Sequence, residues 1–124
     1  MLKHKHLVVR AEVDNPIINK AKATKFLRSL IKKINMKPLY GPTASYCKME
    51  GNKGITAFAI IETSHIAMHI WDESQPALVQ LDVYSCSDFD PKTVFEHLES
   101  MKPVVIDYKF LDREKQFIEI LNNK

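Results

Sequence analysis

Ser64, His65, His69, Glu73, Asp82 and Cys86 place a hydroxyl, two imidazoles, two carboxylates and a thiol in one short, otherwise apolar stretch. His65 and His69 stand four apart, which on a helix would present two imidazoles to one metal ion. The segment from His65 to Trp71 reads as extended, however, and four residues of strand span about 13 Å. One zinc ion is not chelated across that distance, and no Cys/His set completes a site, so no metal is expected. On spacing alone, Ser64 is a turn hydroxyl between two strands, Cys86 a small apolar residue near a strand end, and Glu73 a solvated turn glutamate. His4 and His6, a His-x-His near the terminus, read as surface.

The elements that position these side chains follow from periodicity. Residues 6–13 are β-branched and partly alternating, a strand. Asn15-Pro16 suits a helix start, with Asn as cap and Pro in the first turn. Ala23, Phe26, Leu27, Leu30, Ile31 and Ile34 then recur at helical spacing, and the helix ends before Pro38. Leu39 to Met49 reads as a strand interrupted at Gly41-Pro42, and Gly51-Asn52-Lys53-Gly54 as a turn. Ile55–Ile61, His65–Trp71 and Ala77–Ser85 read as three further strands. Asp90-Pro91 opens a second helix in which Val94, Phe95, Leu98 and Met101 share a face. Val104–Leu111 reads as a closing strand, and the polar tail from Asp112 as a short helix. Successive hairpin-like strands with helices near each end predict an α+β two-layer sandwich, a mainly antiparallel sheet with helices on one face.

The chain of 124 residues forms one domain, 1–124, large enough for a single core. Its apolar fraction of 45% and charged fraction of 27% are those of an ordinary globular protein. No apolar run approaches the roughly 20 residues of a membrane span, and the basic N-terminus lacks the apolar region of a secretory signal. Two cysteines, Cys47 and Cys86, without an export signal fit reduced thiols and a cytoplasmic location. The net charge of +3 is mild. The basic residues are scattered along the sequence without interleaved aromatics, so neither nucleic acid nor membrane is expected as a partner.

The stretch Glu62-Thr63-Ser64-His65 through His69-Ile70-Trp71-Asp72-Glu73, with Asp82-Val83-Tyr84-Ser85-Cys86 after it, resembles the central motif of the prokaryotic S-adenosylmethionine decarboxylases. There the segment reads roughly E-S-H-x-x-x-H-T-W-P-E, with D-x-x-x-C in the next strand. Gly54-Ile55-Thr56 is similar to the family's G-V-S. The resemblance spans nearly the whole chain and is specific between Gly54 and Cys86. It implies autocatalytic cleavage between Thr63 and Ser64: the Ser64 hydroxyl attacks the preceding carbonyl, and elimination from the resulting ester leaves a covalent pyruvoyl group derived from Ser64. It further implies that His69 and Thr56 assist processing. Cys86 would protonate the substrate carbon after carbon dioxide leaves, and Glu73 would hold the ribose hydroxyls. The small-molecule substrate would form a Schiff base with the pyruvoyl carbonyl, in a homodimer of processed protomers serving spermidine, hence polyamine, biosynthesis.

Three positions depart from the pattern. Thr63 replaces the glutamate before the scissile serine. Asp72 replaces the proline after Trp71, in a turn two residues longer. Glu50-Gly51-Asn52-Lys53-Gly54 aligns with the family's F-x-P-Q-G, whose ring is expected to stack on adenine. Phe58 or Tyr46 then supplies the ring, or Glu50 meets a cationic substrate such as ornithine or arginine. A non-processing, non-catalytic ligand-binding homologue is the alternative from a different class.

Overall fold

The computed structural model describes residues 3–123, and these build seven strands, two α-helices and one 3-10 turn. In chain order they are β1 (Lys5–Val13), α1 (Lys20–Lys33), β2 (Pro38–Cys47), β3 (Gly54–Ile61), β4 (Ser64–Trp71), β5 (Ala77–Ser85), α2 (Pro91–Leu98), the 3-10 turn Glu99–Met101, β6 (Pro103–Asp112) and β7 (Ile118–Asn122). The sheet order is β2-β3-β4-β5-β1-β6-β7, with every neighbouring pair antiparallel. The expected α+β two-layer sandwich is what the chain adopts.

Alternation decides which face of the sheet is covered. Leu7, Val9, Ala11 and Val13 of β1 are buried, as are Ile66, Met68 and Ile70 of β4 and Val79, Leu81 and Val83 of β5. They pack beneath Ala23, Phe26, Leu27, Leu30 and Ile31 of α1 and Val94 and Leu98 of α2. The opposite face carries His6, Thr56, His65, His69, Gln80, Asp82 and Tyr84 across paired strands. Chemistry-bearing side chains therefore gather on the face that the helices leave open.

Two expectations are corrected. α1 begins at Lys20, with Asn19 rather than Asn15 as its cap; the Asn19 side chain accepts from the Lys22 N–H at 3.1 Å. Asn15 is held elsewhere: its N–H donates to the Met101 carbonyl at 2.9 Å and its amide to the Ser100 carbonyl at 3.0 Å. The tail beyond Asp112 forms β7 instead of a helix, because Ile118, Glu119, Leu121 and Asn122 complete a ladder on the free edge of β6. The second helix starts as expected, with Asp90 accepting from the Lys92 N–H at 3.0 Å and Pro91 in the first turn.

Candidate active site

β4 carries a candidate constellation at each of its two ends. At its start, Ile61 and Ser64 pair directly, so Glu62 and Thr63 form a tight turn. Three neighbours hold that turn. The Glu62 N–H donates to the Lys37 carbonyl at 2.9 Å, the Thr63 hydroxyl donates to the Met36 sulfur at 2.7 Å, and the Cys86 N–H donates to the Thr63 carbonyl at 2.7 Å. Met36 is set there by the end of α1, where Asn35 takes the left-handed conformation (φ 60°) and the Met36 N–H returns to the Ile31 carbonyl at 2.9 Å. Ser64 itself has φ 147°, a conformation that L-residues rarely adopt and that costs about 1–3 kcal/mol. The strained residue follows the carbonyl that Cys86 holds, so β5 brings Cys86 against the Thr63–Ser64 peptide.

At the other end of β4, Thr56 and His69 are direct cross-strand partners, and Thr56 Oγ1 lies 3.0 Å from His69 Nδ1. This contact leaves Nε2 without a partner among the described residues. The His69 ring stacks on Trp71 with centroids 5.8 Å apart, and the Trp71 N–H donates to Asn52 Oδ1 at 2.7 Å. Cys47, Asn52, Gly54, Thr56, His69 and Trp71 line a cavity of about 130 Å³. Gly54 is required here: a Cβ would lie 1.7 Å from the Ile70 carbonyl oxygen.

Glu73 closes the loop beside this cavity. Its Oε2 accepts from the Gly51 N–H at 3.2 Å and its Oε1 from the Lys53 N–H at 3.0 Å. The Lys53 and Gly51 amides hold its carboxyl below the ordinary glutamate value, in that order of size. Each oxygen keeps further lone-pair capacity for a diol. Asp72 accepts from the Tyr46 hydroxyl at 2.7 Å, and that bond to a carboxylate raises the tyrosine's pKa. Tyr46 is thus tethered, whereas Phe58 lies two residues from Thr56 and stacks on Tyr40 with centroids 6.2 Å apart. Glu50 is exposed in the same loop.

The two ends do not meet within one chain. Ser64 and His69 are five strand residues apart, about 16 Å. Thr63, Ser64 and Cys86 therefore form one group, and Thr56, His69 and Glu73 with its loop form the other.

Several residues emerge only from the fold. Met36 touches the Thr63 hydroxyl, and Cys47 lines the His69 cavity with Asn52. On the open face near Ser64, His6 Nε2 meets the Asp82 carboxylate, and the Arg113 guanidinium donates to His6 Nδ1 at 3.0 Å while lying 4.4 Å from the Tyr84 ring centre. Arginine only donates, so the proton of His6 sits on Nε2. Asp82 was visible in the D-x-x-x-C spacing, but its partner His6 and the Arg113 that holds His6 come from opposite ends of the chain. Among the described residues no group of three or more His, Cys, Asp or Glu side chains is placed to hold a metal ion. No helix of the described residues is long and apolar enough to cross a membrane.

Comparison with known proteins bears on the family and the fold. Curated relatives named S-adenosylmethionine decarboxylase proenzyme include one from Pyrobaculum islandicum, 45% identical over 64 residues covering 50% of each chain. Another from Pyrobaculum neutrophilum is 44% identical over 62 residues, covering 48% of each. The match thus spans about half the length of these relatives. The crystal structure of the adenosylmethionine decarboxylase from Aquifex aeolicus superposes with a TM-score of 0.66 at 22% identity, covering 99% of this chain and 98% of that one, and shows the same fold. The family model described as S-adenosylmethionine decarboxylase matches residues 5–114, and with that match the chain belongs to the S-adenosylmethionine decarboxylase family.

Proposed function

We propose that this chain is the proenzyme of a pyruvoyl-dependent decarboxylase that cleaves itself between Thr63 and Ser64 and acts on S-adenosylmethionine. The observation that carries this reading is the state of the Thr63–Ser64 peptide. Its carbonyl oxygen already accepts the Cys86 N–H at 2.7 Å, and Ser64 holds a strained φ of 147°. A fixed donor on that oxygen stabilises the negative charge that develops when Ser64 Oγ attacks the carbonyl carbon. The carbon–nitrogen bond then breaks, the freed nitrogen takes a proton, and an ester joins Thr63 to Ser64 Oγ. Loss of the Ser64 Cα proton with cleavage of the Cβ–Oγ bond releases residues 1–63 as a carboxylate. Hydrolysis of the resulting dehydroalanine frees ammonia and leaves the pyruvoyl end on the second chain. Strain that is relieved along this path lowers its barrier.

His69 is the base for the Cα proton: Thr56 steadies Nδ1 and Nε2 stays available. The separation of about 16 Å along β4 requires this pair to come from a second copy. We therefore read the working unit as a homodimer joined through the open sheet face, where Phe58 and Ile60 are 40% and 45% exposed. Once formed at Ser64, a pyruvoyl group would supply an electron-withdrawing carbonyl, the chemistry that decarboxylation of an amino substrate needs. Cys86, half-buried beside that position, holds the proton returned to the substrate carbon. Glu73 accepts the ribose hydroxyls with the lone pairs not used by Gly51 and Lys53, and Phe58 is the ring available for adenine. The product would serve spermidine synthesis.

One observation favours a different substrate: Glu50 is exposed in the loop that Glu73 closes, and two carboxylates there suit ornithine or arginine. Carbon dioxide release from labelled S-adenosylmethionine, ornithine and arginine decides between them. Release from S-adenosylmethionine, lost in Glu73→Gln, is expected. Release from the amino acids alone, unchanged by Glu73→Gln, overturns the substrate assignment.

A further inference from the structure

Charge is distributed very unevenly over this molecule. α1 holds Lys20, Lys22, Lys25, Arg28, Lys32 and Lys33 and no acidic residue. These are six of the eighteen Lys and Arg residues, and none of the fifteen Asp and Glu residues lies in the helix. The helix thus carries +6 and the remaining chain −3. Along the sequence the cations look scattered; the helix collects them on its outer face. All six are exposed, whereas Ala23, Phe26, Leu27, Leu30 and Ile31 point into the core. Among the described residues, none of the six forms an ion pair. Lys33 alone is engaged, 3.1 Å from His97 Nδ1. Lysines in the first turn also stand at the positive end of the helix dipole, an unfavourable position that nothing local offsets. A local rule broken without compensation marks a site with another purpose.

We propose that the outer face of α1 docks the phosphodiester backbone of nucleic acid. Lys22, Lys25, Arg28 and Lys32 follow one another at three- and four-residue steps, forming a single row on the helix surface. At 1.5 Å per residue the row is about 15 Å long. A strand of duplex carries a phosphate every 3.4 Å or so along its axis, so four cations face about four phosphates. At the row's end Arg28, Lys32, Asn35 and Lys37, with Ile31, Met36 and Pro38, line a cavity of about 470 Å³, and its cations would face one backbone phosphate.

The same face fits other partners poorly. Between the cations it offers only Ala21, Thr24 and Ser29, without the aromatic or large aliphatic anchor on which protein interfaces depend. Its apolar side is already committed to the core, so it has nothing to insert into a bilayer. The recognition is of charge alone, non-sequence-specific and salt-sensitive, on a face whose far end borders the Met36–Lys37 segment that holds the Thr63 turn.

The test uses the full chain with a fluorescent oligonucleotide of arbitrary sequence, single-stranded and duplex, titrated across 50–200 mM salt. Binding is expected with a dissociation constant in the region of ~10⁻⁴–10⁻⁶ M at physiological salt, tightening as salt falls. The triple variant Lys22→Gln, Lys25→Gln, Lys32→Gln should flatten the slope of log affinity against log salt by about 2 to 3 units. A charge-matched control, Lys48→Gln, Lys92→Gln, Lys115→Gln, should bind as the wild type does. Circular dichroism and chain cleavage should be unchanged in both variants. No binding by the wild type at 50 mM salt overturns the proposal, as does an equal loss in the control. Tighter binding to anionic vesicles or to a poly-glutamate peptide than to the oligonucleotide also overturns it.

Discussion

If Ser64 and His69 act together, they must do so across two chains, and this has a consequence that can be counted. Ser64→Ala removes the nucleophile, and His69→Ala removes the proton acceptor while leaving Ser64 intact. Each variant alone should stay whole, the second because loss of a positioned base slows its step by about 10²–10⁴-fold. Co-expressed in equal amounts, the two chains pair at random. In a mixed dimer, the Ser64 of the His69→Ala chain meets the intact Thr56–His69 pair of its neighbour. About half of the His69→Ala chains lie in mixed dimers of this two-fold kind, so about half of them should be cleaved. A site built within one chain would give no cleavage in the mixture, because neither chain carries both groups. Intact mass spectrometry of the mixture separates the outcomes by the amount of the His69→Ala fragment beginning at position 64. Complete absence of that fragment, with mixed dimers verified by a differential tag, would refute the two-chain site.

Further perturbations probe the parts singly. Cys86→Ala keeps the backbone N–H that holds the Thr63 carbonyl, so cleavage should persist while turnover falls by about 10²–10⁴; normal turnover would assign the proton to another group. Gly54→Ala should force β3 and β4 apart, since its Cβ would meet the Ile70 carbonyl oxygen at 1.7 Å, destabilising the fold by about 1–3 kcal/mol in thermal denaturation. An unchanged Tm would contradict the close approach. The Glu73 carboxyl is held below its usual value of 4.5 by the Lys53 and Gly51 amides. A group whose folded pKa is lowered stabilises above its unfolded value and loses that stabilisation as pH falls through the folded one. Amide exchange at Gly51 and Lys53 should therefore be protected above about pH 4.5 and increase below it, relative to Glu73→Gln; equal, pH-independent protection in the variant would remove Glu73 from the loop.

Much of the fold was legible because its strands are buried on one face only. Ile66, Met68 and Ile70 alternate with His65, Ala67 and His69, and that period fixes both the strand and its inner side. Ser64, His69 and Cys86 became candidates through the resemblance to the family motif, since spacing alone gave Ser64 as a turn hydroxyl and Cys86 as a small apolar residue. What was hidden depends on contacts distant in sequence. Asn15-Pro16 carries a good local start signal, but its backbone is taken by Met101, so the cap moves to Asn19. The tail from Asp112 is polar enough to read as a helix, yet the open edge of β6 recruits its apolar residues as β7. Met36 reaches Thr63 only because a left-handed Asn35 turns the chain there, and His6 reaches Asp82 only because β1 inserts beside β5. The clamp of Gly51 and Lys53 on Glu73 is also invisible in the sequence, since it joins two loops.

The central claim is self-cleavage at a strained peptide, and the intact mass of purified wild-type protein tests it most directly. Two chains are expected after incubation at neutral pH, the first ending at Thr63 and the second beginning with a pyruvoyl group in place of Ser64, while Ser64→Ala remains one chain. A wild-type chain that stays whole through long incubation, with its dimer formed and Ser64 still a serine, would contradict the account.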